Sequence, residues 1–319
     1  MHDLLFVELL GGFGDLLLAL PAVHGLARSG HRVHVLTFEP GAELLRDDPL
    51  VASVTTTSDH TGGAPRRAVE QALAARHHDR AVTTTTYDGI ADLLAARVPE
   101  TVTNLWRRPP PDELVDVRFL QLLVQDGWVD PALAHLPPRV AALPDARAPE
   151  VLLLPDAGMR VKRWPSWPSL VKELGDLDVA ALAGPDGTAA ADTGARVLPA
   201  TSLRGLASLA AGVAARGGVV VGADTGPVRL AAAAGARTVG LFGPTLAVRY
   251  GQRPAQGHVG LQGLPGCEVR RPTAITEQTC WWSACCPLTG DEPACMADIT
   301  PQQVAAAVLG VVRERRLSA

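Results

Sequence analysis

Hydrophobic residues in the first half of the chain form short runs that alternate with longer stretches of helical periodicity. Residues 4–10 are a mostly apolar run followed by glycines, as expected of a strand that is buried on both faces. The alternation of strands with helices predicts a parallel sheet covered by helices on both faces. The predicted strands are 4–10, 31–37, 51–57 and 80–86, and the predicted helices are 15–27, 41–46, 65–76, 89–97 and 112–126.

A second series of the same kind begins after residues 137–149, a segment with four prolines that we interpret as a linker. A last helix is predicted at 300–316, where Thr300 and Gln303 form a capping box and Pro301 takes the first helical position. The other predicted strands are 151–154, 179–183, 219–222 and 238–242, with helices at 166–174, 202–215 and 225–234. We therefore expect domains at 1–145 and 150–299, followed by a C-terminal helix at 300–319.

The composition is that of a globular protein, with 47% hydrophobic and 19% charged residues. A length of 319 residues suits about two domains. The 29 basic and 33 acidic residues leave a net charge of −4, which argues against nucleic-acid binding. Only Lys162 and Lys172 are lysines, so a lysine beside a candidate site is informative.

The apolar start of the chain does not have the pattern of a signal peptide. No basic segment precedes it, and Glu8 and the glycine-rich residues 11–15 interrupt it. No run of about 18 apolar residues predicts a membrane span. All five cysteines lie near the end of the chain, and without an export signal we expect no disulfide framework. These features predict a cytoplasmic protein.

A glycine-rich turn, G-G-F-G-D, separates the first predicted strand from the first predicted helix. Gly11, Gly12 and Gly14 would permit positive φ and a close approach of the backbone to a ligand, and a helix start favours an anion. The dinucleotide pattern G-x-G-x-x-G is not met, so a tight structural turn is an equal alternative. Asp15 is a candidate catalytic residue, and its alternative role is that of a helix N-cap.

A second polar turn follows predicted strand 219–222 and opens an alanine-rich helix. Asp224 or Thr225 can cap this helix, and the free N–H groups around Gly226 would bind a phosphate. Arg229, one turn further on, would add charge-assisted hydrogen bonds. The alternative is a helix cap beside a surface arginine.

Three cations lie within four residues after predicted strand 151–154, at Arg160, Lys162 and Arg163, next to Trp164. Cations at the carboxyl end of a strand suit a diphosphate, whereas a charge run is also typical of a solvated loop. The scarcity of lysine in this chain favours Lys162 as a ligand-binding residue.

These motifs occur in the order found in glycosyltransferase family 9, the ADP-heptose:lipopolysaccharide heptosyltransferases, which the chain resembles from residue 11 to residue 245. The resemblance implies the GT-B fold, an α/β architecture of two Rossmann-like doubly wound parallel-sheet domains that face each other across a cleft. It also implies that the C-terminal helix returns toward the first domain. The motifs are G-G-F-G-D followed by Pro21, K-R-W-P from Lys162, D-T-G-P-x-x-L-A-A-A from Asp224, and L-F-G-P-T from Leu241.

The resemblance implies roles for individual residues as well. Asp15 matches the family's proposed general base, and Lys162 matches the lysine that holds the donor phosphates. Gly184 and Asp186 resemble the loop that contacts the nucleoside. Arg229 stands where the family usually has histidine, which leaves phosphate binding open and puts the family's usual contacts in doubt. The residues expected to bind the donor are Gly11, Gly12, Gly14, Lys162, Gly184, Asp186, Asp224, Thr225, Gly226 and Arg229.

Cysteines cluster within 29 residues near the end of the chain. Four thiolates would suit a tetrahedral zinc or iron ion, although the spacing fits no standard zinc ribbon. Some heptosyltransferase-like proteins carry an iron-binding cysteine finger, so the resemblance adds weight to a structural metal. The alternative is ordinary reduced cysteines in a loop-rich lobe. The candidate ligands are Cys267, Cys280, Cys285, Cys286 and Cys295.

The function implied by the resemblance is inverting transfer of a sugar, expected to be heptose, from an ADP-sugar to an acceptor hydroxyl. The acceptor is either lipopolysaccharide core or a secondary metabolite such as an antibiotic. No cofactor is expected in catalysis. The expected partners are the donor and the acceptor, with peripheral membrane contact if the acceptor is a lipid. A nucleotide-sugar epimerase of the same fold and a non-catalytic nucleotide-sugar-binding subunit are the alternatives.

Overall fold

Parallel sheets form the centre of two units in the computed structural model, which describes residues 2–106, 112–184 and 187–318. The first unit consists of Met1–Pro109 and Val115–Val140, and the second of Pro110–Leu114 and Ala141–Ala319. The units therefore part at Val140, inside the proline-rich segment 137–149. Among the described helices, none combines the length and the apolar character that crossing a membrane requires.

The first unit is built from a five-stranded sheet and four α-helices in its described residues. The elements are β1 (Asp3–Glu8), α1 (Phe13–Arg28), β2 (Arg32–Phe38), β3 (Ser53–Thr57), α2 (Ala64–Ala75), β4 (Arg80–Thr83), α3 (Ile90–Arg97), β5 (Glu100–Val102) and α4 (Val115–Gln125). The strands pair in parallel in the order β3-β2-β1-β4-β5. This is the strand order of a doubly wound Rossmann-like sheet.

Burial explains why β1 lies at the centre of this sheet. Leu4, Phe6 and Val7 are fully buried, since a central parallel strand is covered by helices on both faces. Helix α1 is buried from Leu16 to Leu26 and packs against α4. The edge strand β3 has the more polar sequence SVTTT and is partly exposed.

The second unit has a six-stranded sheet in its described residues. Its elements are β6 (Val151–Leu154), α5 (Trp167–Leu174), β7 (Val179–Leu182), α6 (Thr188–Ala191), β8 (Arg196–Leu198), α7 (Leu203–Ala215), β9 (Val219–Ala223), α8 (Gly226–Ala233), β10 (Arg237–Phe242), α9 (Ala247–Tyr250), β11 (Val259–Gln262), α10 (Thr279–Ser283), α11 (Ala294–Ala297) and α12 (Pro301–Ser318). All strands are parallel, in the order β11-β10-β9-β6-β7-β8. The predicted fold class, two doubly wound parallel-sheet domains, is confirmed.

Helix α12 packs against α5 and against the sheet of its own unit. The predicted capping box is present: Thr300 N donates to Gln303 Oε1 at 2.8 Å, and Gln303 N donates to Thr300 Oγ1 at 3.2 Å. Just before the helix, Trp164 Nε1 donates to the backbone oxygen of Ile299 at 2.9 Å. The prediction that this helix returns toward the first domain stays a prediction.

Several short elements differ from the sequence prediction. Strands β5, β8 and β11 were not predicted, because runs of three or four residues give no clear periodicity. Strand β4 ends at Thr83, where the hydroxyl of Thr83 accepts a hydrogen bond from Thr85 N at 2.8 Å. The predicted helix 41–46 is a short 3-10 turn, Gly41–Leu44.

Each sheet has one switch point, where connections leave for opposite faces of the sheet. It lies between β1 and β4 in the first unit and between β6 and β9 in the second. Ligands of doubly wound sheets bind in the crevice that forms beyond the carboxyl ends of the strands at this point. A ligand is therefore expected at the residues that follow β1, β4, β6 and β9.

Candidate functional site

Lys162 and Asp224 meet at the switch point of the second unit. After β6 the chain turns into the 3-10 segment Arg160–Lys162, and Asp224 is the first residue beyond β9. Because β6 and β9 pair in parallel, their carboxyl ends lie side by side. The pairing therefore brings together two motifs that are 62 residues apart.

The carboxylate of Asp224 interacts with three side chains. Lys162 Nζ lies 3.2 Å from Asp224 Oδ2 and donates to the Asp224 backbone oxygen at 2.7 Å. Thr245, from the L-F-G-P-T motif, donates to Oδ2 at 2.7 Å. The guanidinium of Arg229 forms an ion pair with Oδ1. Only 3% of the Asp224 side chain, 15% of Lys162 and 10% of Arg229 are exposed, so this cluster is largely shielded from water.

The charges of the cluster favour an anionic ligand. Burial raises the pKa of Asp224, but the charges of Lys162 and Arg229, with hydrogen bonds from Thr245 and Lys162, outweigh it and hold the pKa below its ordinary value. The carboxylate is therefore ionised, and two cations stand against one anion. A diphosphate would meet one excess positive charge and several charged donors.

Helix α8 begins directly beside this cluster. Thr225 is its N-cap residue, but the Thr225 hydroxyl donates to the backbone oxygen of Ala223 at 3.2 Å and does not cap the helix. The Thr225 hydroxyl therefore does not occupy the N–H groups of the first turn, those of Gly226 and Val228, and such groups at a helix start favour an anion. Arg229 is 9% exposed, so the alternative of a surface arginine is wrong.

Of the three clustered cations, only Lys162 joins Asp224. The Arg160 side chain is 68% exposed and lies 3.9 Å from Asp291. Arg163 donates to the backbone oxygen of Ala157 at 3.3 Å. The alternative of a solvated loop therefore holds for Arg160 but not for Lys162.

Gly184 lies at the carboxyl edge of the same sheet, after β7. A Cβ atom at this position would lie 1.8 Å from Asp156 Oδ2, so a larger residue would require the Asp156 side chain to move. Asp186, the other residue predicted for the nucleoside loop, lies outside the described residues.

In the first unit, the glycine-rich turn connects β1 to α1 at the switch point. Gly12 is the N-cap of α1, and Asp15 is the third helical residue, with Oδ2 3.4 Å from Gly12 N. The alternative role of Asp15 as the N-cap itself is therefore wrong. None of Gly11, Gly12 and Gly14 uses the positive φ that glycine permits, and Gly12 is extended where the chain enters the helix. A Cβ atom at Gly12 would meet nothing within 4 Å, so the turn is open at this point.

Glu8 is a polar residue of this site that the sequence prediction missed. It ends β1, is 1% exposed, and accepts hydrogen bonds from Leu10 N at 3.0 Å and from the Thr37 hydroxyl at 3.2 Å. Burial, and then the negative charge of Asp15, raise the pKa of Glu8 to about 8. Glu8 is therefore mostly protonated at neutral pH. The sequence feature that could have identified Glu8 is its position as an acidic residue within an apolar strand.

The segment that follows β1 is fixed by residues that follow β4. Leu9 N donates to Thr85 Oγ1 at 2.8 Å, and the Tyr87 hydroxyl donates to the backbone oxygen of Leu9. Burial and the charges of Asp88 and Glu8 raise the pKa of Tyr87 to about 12. The turn beside the carboxyl groups of Glu8 and Asp15 is thus held in place by hydrogen bonds with the uncharged side chains of Thr85 and Tyr87.

Four of the five cysteines line one small cavity in the second unit: Cys267, Cys280, Cys286 and Cys295. Cys285 is exposed, and its thiol donates to the backbone oxygen of Gly290 at 2.9 Å. The pKa of Cys295 is raised to about 11, chiefly by burial. The charge of Arg270 lowers this pKa and the neighbouring thiols raise it, but both effects are smaller. Thiol ligands suit a soft metal ion. Within the described residues, however, no three side chains that could bind a metal lie close enough together to hold one. The predicted metal site stays a prediction.

Comparison with known protein families identifies one match. Residues 131–264 match the profile described as glycosyltransferase family 9 (heptosyltransferase). The matched segment includes Lys162, Asp224 and Thr245, so it contains the whole charged cluster. No curated protein matches the chain in sequence.

Several solved structures share the fold over the whole chain. A family 9 glycosyl transferase from Veillonella parvula has a TM-score of 0.75 at 13% identity, covering 98% of each chain. The ADP-heptose lps heptosyltransferase II of E. coli has a TM-score of 0.68 at 17% identity, covering 98% of this chain and 99% of its own. The iron-containing dodecameric glycosyltransferase TibC of enterotoxigenic E. coli has a TM-score of 0.60 at 16% identity, covering 99% and 76%.

Proposed function

We propose that this protein is a glycosyltransferase that transfers heptose from an ADP-sugar to an acceptor hydroxyl with inversion, because residues 131–264 match the profile of glycosyltransferase family 9. The observation that carries the proposal is the cluster of Lys162, Asp224, Arg229 and Thr245. Two motifs of the family, K-R-W-P and D-T-G-P, supply its first two members, and the strand pairing of β6 with β9 brings them together.

The cluster would bind the diphosphate of the donor. Lys162, Arg229 and the N–H groups at Thr225 and Gly226 would neutralise the charge that develops on the leaving diphosphate. The site needs no metal ion for this purpose, because its own cations supply the positive charge. Gly184 and Asp186 would lie along the nucleoside. Gly11, Gly12 and Gly14 would give the donor access to the backbone at the start of α1.

Asp15 would act as the general base. Its carboxylate would take the proton of the acceptor hydroxyl while that oxygen bonds to the anomeric carbon and the bond from that carbon to the diphosphate breaks. Attack opposite the leaving group inverts the anomeric configuration. ADP leaves with the electron pair of the broken bond, and the proton stays on Asp15 until it is released to solvent.

The choice of ADP and heptose rests on the family description and on the name of the E. coli heptosyltransferase II. The acceptor is either lipopolysaccharide core or a secondary metabolite. A cytoplasmic location, with peripheral membrane contact for a lipid acceptor, belongs to the same proposal. The cavity of Cys267, Cys280, Cys286 and Cys295 would hold a structural zinc or iron ion. This part is supported by the four thiols and by the iron of TibC.

The proposal is tested in two steps. A thermal-shift panel of ADP, UDP, GDP and TDP should give the largest stabilisation with ADP. The ADP-sugar is then incubated alone and with candidate acceptors, and the products are analysed. A transferase forms product only with an acceptor, an epimerase alters the donor alone, and a binding subunit does neither. Stabilisation by another nucleotide and not by ADP would contradict the donor class.

A further inference from the structure

We infer that Trp281 is a positioning residue for Lys162, holding its ammonium group at the phosphate-binding cluster. The contact itself stands on the structure, and its effect on the donor rests on the proposed function. Lys162 Nζ lies 5.2 Å from the centre of the Trp281 ring, within the range of a cation–π interaction. Trp281 is only 8% exposed, so the ring is part of the packed interior of this unit.

The neighbouring tryptophan has the opposite environment. Trp282 is 75% exposed, and its indole N–H donates to the backbone oxygen of Thr276 at 3.0 Å. Helix α10 thus presents one indole ring to Lys162 and the other to solvent. Of the two tryptophans of α10, Trp281 is therefore the one placed to act on Lys162, and Trp282 serves as its exposed control.

Buried hydrogen bonds connect the segment that carries Trp281 to the charged cluster. Arg270 is 7% exposed and donates to the backbone oxygen of Gly243 at 2.7 Å and to that of Gly263 at 2.8 Å. Gly243 belongs to the same loop as Thr245, which donates to Asp224. Arg271 N donates at 3.0 Å to Oε1 of Gln278, the residue before α10, so the segment that leads into α10 is tied to the loop that helps to hold Asp224.

The physical effect of Trp281 is to limit where the ammonium group can go. An ammonium group has three N–H donors, and two acceptors of Asp224 lie within hydrogen-bond distance of Lys162 Nζ. The aromatic face attracts the cation and excludes water from another side. Lys162 is therefore preorganised beside Asp224, and a phosphate oxygen would find it in place. Without the ring, Asp224 alone would hold the flexible side chain, and its ammonium group would be more open to solvent.

Lysine NMR tests the contact without any ligand. The chain has only two lysines, so protein labelled with ¹³C at Cε gives two lysine signals, and Lys172→Arg assigns them. The Lys162 methylene should be shifted upfield by the Trp281 ring current. Trp281→Leu should move it to the position of a free lysine, Trp281→Phe should retain part of the shift, and Trp282→Leu should change nothing. An unshifted wild-type signal, or one that Trp281→Leu leaves in place, would overturn the inference.

Calorimetry with ADP tests the consequence. Trp281→Leu should raise the Kd of ADP about two- to thirtyfold, the range of a cation–π contact. Trp281→Phe should lie between this value and wild type, and Trp282→Leu should match wild type. An unchanged Kd in a folded Trp281→Leu protein would overturn the positioning role. If the wild type binds no ADP, the proposed function fails, and the NMR signals alone decide the role of Trp281.

Discussion

The ammonium of Lys162 lies 2.7 Å from the backbone oxygen of Asp224 and 3.2 Å from its carboxylate. The two residues follow different strands of one sheet, and each supplies the opposite charge that the other has in this shielded position. Lys162 keeps a buried carboxylate ionised, and Asp224 fixes the lysine where a diphosphate would bind.

Lys162→Ala should weaken ADP binding by about 1.5–3 kcal/mol, the contribution of a hydrogen bond to a charged group. Lys172→Ala is the matched control, since Lys172 is the other lysine and is exposed on α5. Isothermal calorimetry measures both variants. Equal ADP affinity in the two variants would remove Lys162 from the donor site.

Asp224→Asn should lower the free energy of unfolding by about 3–5 kcal/mol, because it leaves Lys162 and Arg229 without their buried counter-charge. Asp178→Asn is the control: Asp178 pairs with Arg196 and Arg216, but its side chain is 42% exposed. A surface ion pair contributes about 1 kcal/mol at most. Denaturant unfolding should separate the two variants clearly, and similar losses would contradict the structural role of Asp224.

Asp15→Asn should lower turnover by about 10²–10⁴ while ADP affinity and Tm stay close to wild type. Asparagine keeps the size of the side chain and an oxygen for Gly12 N but cannot accept the proton. The control is Asp92→Asn, because Asp92 takes the same third helical position in α3, again after a glycine N-cap. If the Asp15 variant keeps more than about a tenth of the activity, the general base lies elsewhere.

Glu8→Gln should change how stability depends on pH. The pKa of Glu8 is about 8 in the folded protein against an ordinary value of 4.5, so the folded state binds the proton more tightly. The stabilising effect of this proton is complete below pH 4.5 and is lost as the pH rises through 8. Wild type should therefore lose more stability than Glu8→Gln between pH 5 and pH 9.

Denaturant unfolding across this pH range measures the effect. The exposed Glu70, which pairs with Arg66, supplies the control Glu70→Gln, whose curve should run parallel to wild type. Parallel curves for Glu8→Gln and wild type would show that Glu8 is ionised in the folded protein at neutral pH.

Protein purified under reducing conditions should contain about one equivalent of zinc or iron, bound by four thiolates. Cys286→Ser should lose the metal, whereas Cys285→Ser should keep it, because Cys285 does not line the cavity. Elemental analysis of both variants gives the answer. Active wild-type protein without metal would end the metal proposal and leave the transferase proposal intact.

The alternation of apolar runs with helical periodicity was enough to predict most of the fold. Strands 151–154 and 219–222 were placed within one residue of β6 and β9, and the capping box located the start of α12. These signals are local, since burial on both faces of a strand and the cap of a helix leave their pattern in neighbouring residues. The short edge strands β5, β8 and β11 have too few residues to carry such a pattern.

The sequence by itself determined the residue types of the site, namely one of only two lysines, an aspartate at a helix start and a cluster of thiols. Only the tertiary structure decided which of them meet. It joined Lys162 to Asp224 and left Arg160 in solvent, separated Cys285 from the other four thiols, and buried Glu8 beside Asp15. The physical reason is that a charge acts over a few ångströms in space, and strand pairing sets those distances between segments far apart in the chain.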